Sequence, residues 1–240
     1  MDNNHILGHR ILITQKTDVN HLKNVLRLKS GDRVDISDKH DWEYKAEIIS
    51  INQNTVELRI LDKQRFAREP ELKVVLYQGV PKGNKLETLV QKCVELGIYR
   101  IIPVICSRSL TDRQKDSWNK TDRLRRIAGE AVKQCRRGVI PVIDAPLDFN
   151  EAVISMKEWD LSFFPHENEE KRSIKSFLRN LDRKPKSVAF MIGPEGGFSD
   201  EEAAALIDNE IYAVSLGRTV LRSETAAPAA LAMVMYELEL

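Results

Sequence analysis

The sequence predicts an α/β protein in two unlike parts: a small antiparallel β region, then a longer and mostly parallel sheet covered by helices on both faces. Three observations carry this prediction. Up to about residue 70, apolar residues recur with period two in short runs separated by Gly, Asp and Asn turns. From Lys73 onward, apolar runs alternate with amphipathic segments. The two styles meet at RFAREPEL, residues 65 to 72, where Pro70 and mixed charges break both patterns. At roughly 150 residues per domain, 240 residues fit one large domain or two unequal ones. The expected division is 1–70 and 71–240.

In the first part the strand-like runs are HRILI, DRVDIS, WEYKAEIISI and NTVELRIL, a pattern that suits a small sheet or barrel. One helical segment, HLKNVLRL, interrupts them, with Leu22, Val25, Leu26 and Leu28 expected on one side. In the second part KVVLYQ leads to the helix NKLETLVQKCVELG, and RIIPVIC to a helix near Trp118 to Cys135. DLSFF leads to SIKSFLRNL, SVAFMIG to SDEEAAALIDN, and YAVSL to a closing helix near Glu224 to Glu237. The clearest helix is 84–96: Leu86, Leu89, Val90, Cys93 and Val94 repeat at helical spacing and Gly97 is placed to end it. Cys93 is therefore read as core.

Composition narrows the function classes. With 42% hydrophobic and 30% charged residues the chain has the material for a core, which excludes a disordered solvating segment. A net charge of +1 excludes a uniformly basic nucleic-acid binder, so any polyanion must meet a local patch. The longest apolar stretch, Ala226 to Tyr236, is short of the roughly 20 residues that span a bilayer and reads as a buried helix. The opening MDNNHILGHR lacks the features of a secretory signal, so a cytoplasmic location is expected. Cys93, Cys106 and Cys135 form neither a disulfide framework nor a CxxC pair. His5, His9, His21, His40 and His166 show no metal-ligand spacing and are read as surface or turn histidines; no metal is expected. The GxSxG nucleophile elbow is absent.

Two loops stand out. Ile192-Gly193-Pro194-Glu195-Gly196-Gly197 follows the strand SVAFMI and precedes a helix with Ser199 and Glu202 in capping-box spacing. Asp200, Glu201 and Glu202 make that helix start acidic, which opposes phosphate and suits bare backbone set against a flat, neutral or cationic ligand. The plain alternative is a glycine turn between strand and helix. The second loop, Leu216 to Ala226, again follows a strand and precedes a helix whose first turn accepts Pro228. Two such loops at the carboxyl ends of strands can wall one crevice. A third feature is basic: from Arg113 to Arg137 nine bases face three acids, a local excess in a neutral chain. It fits phosphate contact, or a solvated helix face with pairs such as Asp122 with Arg126.

These residues resemble the RsmE-type 16S ribosomal RNA (uracil-N3)-methyltransferases of the SPOUT class. The resemblance rests on HLKNVLRLKSGD (21–32), KGNKLETLVQKCVELGI (82–98), EAVKQCRRGVIP (130–141), MIGPEGGFSDEE (191–202) and LGRTVLRSETAAPAAL (216–231). It implies a PUA-like RNA-binding β-barrel followed by a SPOUT α/β domain with a C-terminal trefoil knot. It also implies S-adenosyl-L-methionine as cofactor, and a homodimer with each active site near the subunit interface. Carried over residue by residue, Ile192, Gly193, Glu195, Gly196, Gly197, Leu216, Gly217, Leu221, Thr225 and Ala226 bind the cofactor. Arg222 is expected to stabilise the anionic uracil and Glu224 or Glu195 to take its proton. RNA docking falls to Arg10, His21, Lys23, Arg27, Lys82, Lys85, Arg136 and Arg137, against 16S RNA or the assembled small subunit. Members often open with an Arg-aromatic strand, which MDNNHILGHRILI lacks, and Cys135 stands where a small hydroxyl residue is common. The rival readings are a SPOUT enzyme with another RNA target, a non-catalytic RNA-binding module of the same fold, and a phosphate-binding α/β protein.

Overall fold

The computed structural model describes residues 6–38, 42–65, 69–81, 83–109 and 120–240. The chain divides into two compact units, one of Met1–Glu69 with Arg136–Ile140 and one of Pro70–Cys135 with Pro141–Leu240. The return of 136–140 to the first unit is something a single cut near residue 70 does not contain.

The first unit is a five-stranded antiparallel sheet of β1 (Ile6–Leu7), β2 (Arg10–Ile13), β3 (Arg33–Ser37), β4 (Trp42–Ile51) and β5 (Val56–Arg65). Its order is β1-β2-β5-β4-β3. The period-two reading holds: Tyr44, Ala46 and Ile48 of β4 and Val56 and Leu58 of β5 are buried, with Ile11 and Ile13 of β2, in one core. Each such aliphatic side chain taken fully from water contributes about 1.5–3 kcal/mol. The segment between β2 and β3 departs from expectation. It is a short helix, α1 (Lys16–Asn20), running into a π-helical turn at His21–Val25. That extra residue per turn rotates the apolar side apart, so Leu22 and Leu28 pack on the core while Val25 and Leu26 are 62% and 50% exposed.

Within this unit Glu69 gathers the returning segment. Its carboxylate accepts from Arg137 Nη2 at 2.9 Å and from the Gly138 and Val139 backbone N–H groups at 2.9 and 3.0 Å.

The second unit holds β6 (Lys73–Gly79), β7 (Arg100–Ile105), β8 (Val142–Ile143), β9 (Leu147–Asp148), β10 (Leu161–Pro165), β11 (Ser187–Ile192) and β12 (Tyr212–Val214). All pair in parallel in the order β12-β10-β11-β6-β7-β8, with β9 also on β7. Residues 74–79 of β6 are all buried, as a strand covered on both faces requires.

The helices are α2 (Lys85–Glu95), α3 (Thr121–Cys135), α4 (Phe149–Met156), α5 (Ile174–Arg179), α6 (Asp200–Asp208) and α7 (Ser223–Leu238). α2 buries the five residues its spacing predicts. Gly97 ends it at φ +92°, a conformation an L side chain adopts only under strain. α4 and the short strands β8 and β9 were not foreseen, although Asp148 and Glu151 form a capping box. Pro228 lies inside α7, beyond its first turn, where the missing N–H leaves the Glu224 carbonyl without its helical donor. Burial pushes the Cys93 thiol up to about 12, and burial likewise raises Cys106. Neither is a nucleophile.

Candidate functional site

The site is built at the carboxyl ends of β10, β11 and β12. The loop after β11 is a tight turn in which the Gly197 N–H donates to the Pro194 carbonyl at 2.9 Å. It rests directly on the end of β6. A Cβ at Gly79 would stand 2.6 Å from the Pro194 nitrogen and 2.9 Å from the Gly193 carbonyl carbon, so any side chain there displaces the loop backbone. α6 then starts as expected, with the Ser199 hydroxyl accepting from the Glu202 N–H and Glu202 Oε2 accepting from the Ser199 N–H. The other Glu202 oxygen accepts from the Ser107 N–H at 2.7 Å, so this acid is occupied with structure.

The loop after β12 ends at Arg222, the N-cap residue of α7, whose carbonyl accepts from the Thr225 and Ala226 N–H groups at 2.8 Å each. Its backbone is thus fixed while the residue remains exposed. Two ties join this loop to the first. Ser223 Oγ donates to the Gly193 carbonyl at 2.8 Å and accepts from Gln78 Nε2 at 2.9 Å. Gln78, fully buried on β6, also donates to the Gly79 carbonyl, and its Oε1 has no partner.

The second tie is Lys85, whose Nζ lies 3.2 Å from Glu195 Oε1 and 3.4 Å from Glu224 Oε1. These bonds, to Glu195 first, raise the Lys85 ammonium above its ordinary value. Glu224 is held below the usual carboxylate range, first by a hydrogen bond to its own backbone N–H, then by Lys85 and Arg222 against the opposing effect of desolvation. Its second oxygen, Oε2, is buried and unpartnered.

Between the loops lies a cavity of about 400 Å³. Ile192, Gly193, Glu195, Gly197, Leu216, Gly217, Leu221 and Ala226 line it, as do Arg222 and Glu224. Gly196 and Thr225 do not. The Gly196 carbonyl instead accepts from Arg108 Nη1 at 2.8 Å, and Thr225 is exposed on α7. The sequence reading missed Pro165, His166 and Glu167, which reach the cavity from the end of β10, and Ser223. A signal existed: His166 directly follows a strand, and in such sheets ligands sit beyond strand carboxyl ends. His166 is thus a cavity residue whose ring stands edge-on to Phe164, and its carbonyl accepts from the Glu169 N–H, which makes it the turn histidine expected as well.

The expected RNA-docking residues scatter. In the first unit, Arg10 pairs with Glu57 at 2.7 Å, His21 and Lys23 lie on the π-helical turn, and Arg27 and Arg136 adopt left-handed backbone at φ 55° and 59°. Arg137 is 8% exposed and committed to Glu69, which removes it from a free phosphate-binding set. Lys85 lies in the cavity wall, and Lys82 falls outside the described residues. So do Arg113, Lys115, Asp116 and Trp118 of the basic stretch. Further along it Arg123 pairs with Glu87 and Lys133 with Glu130, while Asp122 pairs with Arg125 and not Arg126. Among the described residues no group of three or more His, Cys, Asp or Glu is placed to hold a metal, and no helix is long and apolar enough to cross a membrane.

Comparison with known proteins matches residues 68–235 to an RNA methyltransferase domain and residues 13–61 to an RNA methyltransferase PUA domain. The chain is 31% identical over 227 residues to the ribosomal RNA small subunit methyltransferase E of Bacillus subtilis, covering 93% of this chain and 89% of that one. Among solved structures, the ribosomal RNA small subunit methyltransferase E of Neisseria gonorrhoeae bound to S-adenosyl methionine superposes with a TM-score of 0.86 at 26% identity, covering 98% and 95% of the two chains. A Legionella pneumophila protein solved with the bound cofactor SAM gives 0.83 at 30% identity over 98% and 95%. Matched in both units and along almost its whole length, the chain belongs to the ribosomal RNA small subunit methyltransferase E family.

Proposed function

We propose that the chain transfers a methyl group from S-adenosyl-L-methionine to N3 of a uridine in 16S ribosomal RNA. The observation that carries this reading is the convergence of both glycine loops, Arg222 and Glu224 on one cavity. Its volume of about 400 Å³ suits a small cofactor, small-molecule sites spanning roughly 300–1,000 Å³. The site also fits the cofactor chemically. Gly193, Gly197 and Gly217 offer backbone without side chains, and the orphaned Glu224 Oε2 is an acceptor that a ligand N–H or O–H can satisfy. When bound, S-adenosylmethionine supplies an electrophilic methyl group on a sulfonium sulfur. Ile192, Leu216, Leu221 and Ala226 provide apolar contact for it, and the two loops exclude water from it.

Uracil N3 lies on the Watson–Crick edge and carries a proton, so the base must be unpaired and must lose that proton. Arg222, a permanent cation with a fork of donors, stabilises the anionic uracil through O2 or O4. Glu224 is ionised at neutral pH and receives the proton, with Glu195 as the other candidate. In the first unit Arg10, His21, Lys23, Arg27 and Arg136 contact phosphate. The trefoil knot, a homodimer and a cytoplasmic location belong to the same reading, which they share with the family resemblance.

Reverse transcription of 16S RNA from cells with and without the gene tests it, because N3-methyluridine cannot pair and stops the enzyme. One stop that vanishes on deletion is expected. Its persistence would overturn the reading. Parallel reactions in vitro with free 16S RNA and with assembled subunits identify the substrate.

A further inference from the structure

We propose that Lys85 is a positioning residue of this site: its ammonium holds the Glu195 and Glu224 carboxylates together as two anions by sharing one oxygen of each. This rests on the reading of the cavity as the methyl-transfer site. Glu195 comes from the loop after β11 and Glu224 from the first turn of α7, and each places Oε1 within 3.4 Å of the same Nζ. Two carboxylates brought to one place do not both stay ionised unless a cation stands between them. A compact ammonium on a flexible stem suits carboxylates arriving from different loops better than a planar fork does. Lys85 is also the first residue of α2, where a cation opposes the helix dipole. Its position is explained by the carboxylates rather than by the helix.

The remaining charged groups on the cavity wall are His166 and Glu167 after β10 and Arg218 and Arg222 in the second loop. Of these Arg222 also lowers Glu224, whose carboxyl is held low first by its own backbone N–H and then by Lys85 and Arg222. Removing the ammonium raises the carboxylate values, so one of the pair keeps its proton to higher pH and the acid limb of the activity profile moves up.

The test is Lys85→Met with Lys85→Arg as the conservative variant. First, the glutamate carboxyl carbons are followed by ¹³C NMR through the acidic range in the whole chain without cofactor or RNA, with Glu195→Gln and Glu224→Gln giving the assignments. In Lys85→Met one of the two resonances should titrate roughly one pH unit higher, and Lys85→Arg should bring it most of the way back. Second, turnover on 16S RNA in Lys85→Met should fall up to about tenfold on the acid limb, which moves up by about one pH unit, and change little at neutral pH, with KM for S-adenosylmethionine within about threefold. Unmoved carboxyl titrations overturn the proposal, as does a loss of turnover that is uniform in pH and not rescued by Arg. A salt dependence of RNA affinity reduced by about one phosphate at an unchanged acid limb would make Lys85 a phosphate contact instead. If the natural chain methylates no ribosomal RNA while the carboxyl titrations shift as stated, the assigned activity fails and the Lys85 pairing stands.

Discussion

The two units use their sheets in opposite ways. In the first, one face of β2 to β5 is core and the other carries charge. Arg10 pairs with Glu57, Arg59 with Glu47 and Lys45 with Asp62, at 2.7, 3.1 and 3.9 Å and with the basic partner more than half exposed. Exposed pairs of this kind contribute about 0–1 kcal/mol each, so a phosphate can exchange for the carboxylate at little cost. In the second unit the central strands are buried on both faces and have no outward polar side. At the carboxyl ends of its strands, Gln78, Glu195, Ser223 and Glu224 have defined partners or a single open valence. An antiparallel sheet offers a face for docking, whereas a covered parallel sheet offers only its ends for chemistry.

The strongest way to break this contrast is at Arg222. Changing Arg222→Ala should lower methyl transfer by about 10²–10³-fold, typical of losing one preorganised donor, with cofactor affinity in calorimetry largely unchanged. Unchanged turnover would remove Arg222 from the chemistry.

Next is Glu69, which with Arg137 makes the one ion pair among the described residues of the first unit whose partners are both largely buried. Glu69→Ala should destabilise that unit by about 3 kcal/mol, because it removes the carboxylate facing the largely buried Arg137 side chain and the acceptor of two backbone N–H groups. Denaturant unfolding followed by Trp42, with Trp118→Phe and Trp159→Phe in the background, reads the effect. A shift below about 1 kcal/mol would class this pair with the exposed ones.

Within the second unit, Ser223→Ala leaves the Gln78 amide and the Gly193 carbonyl short of a partner. It should cost about 1–2 kcal/mol of stability and weaken cofactor binding in calorimetry, because the two loops lose one of their ties. The smallest effect is expected at Arg27. Arg27→Ala should weaken RNA binding a few-fold across sequences and reduce the logarithmic salt slope by about one, with turnover at saturating RNA preserved. A changed turnover would place chemistry in the first unit and erase the contrast.

Much of this was legible in the residues. The burial of Leu86, Leu89, Val90, Cys93 and Val94, the alternation in β4 and the capping box at Ser199 follow from local periodicity and backbone hydrogen-bonding needs, which involve only neighbouring residues. The two loops and most of the cavity lining were identified from their residues. The π-helical turn was not foreseen, because one residue of register separates Val25 and Leu26 from the core, and hydropathy does not encode that residue. The cavity role of His166 was not legible, because nothing local distinguishes a turn histidine that lines a cavity from one that faces only solvent.

The sequence by itself determined the fold class, the principal helices and strands and the two loops that matter, because these depend on spacing along the chain. Tertiary structure alone decided the partners of the charges: that Lys85 stands between two glutamates, that Arg137 belongs to Glu69, and that Ser223 ties the loops through Gln78. The physical reason is range. Periodicity is set within a few residues, whereas a hydrogen bond between residues 78 and 223 exists only once folding has brought a strand end and a distant helix start together.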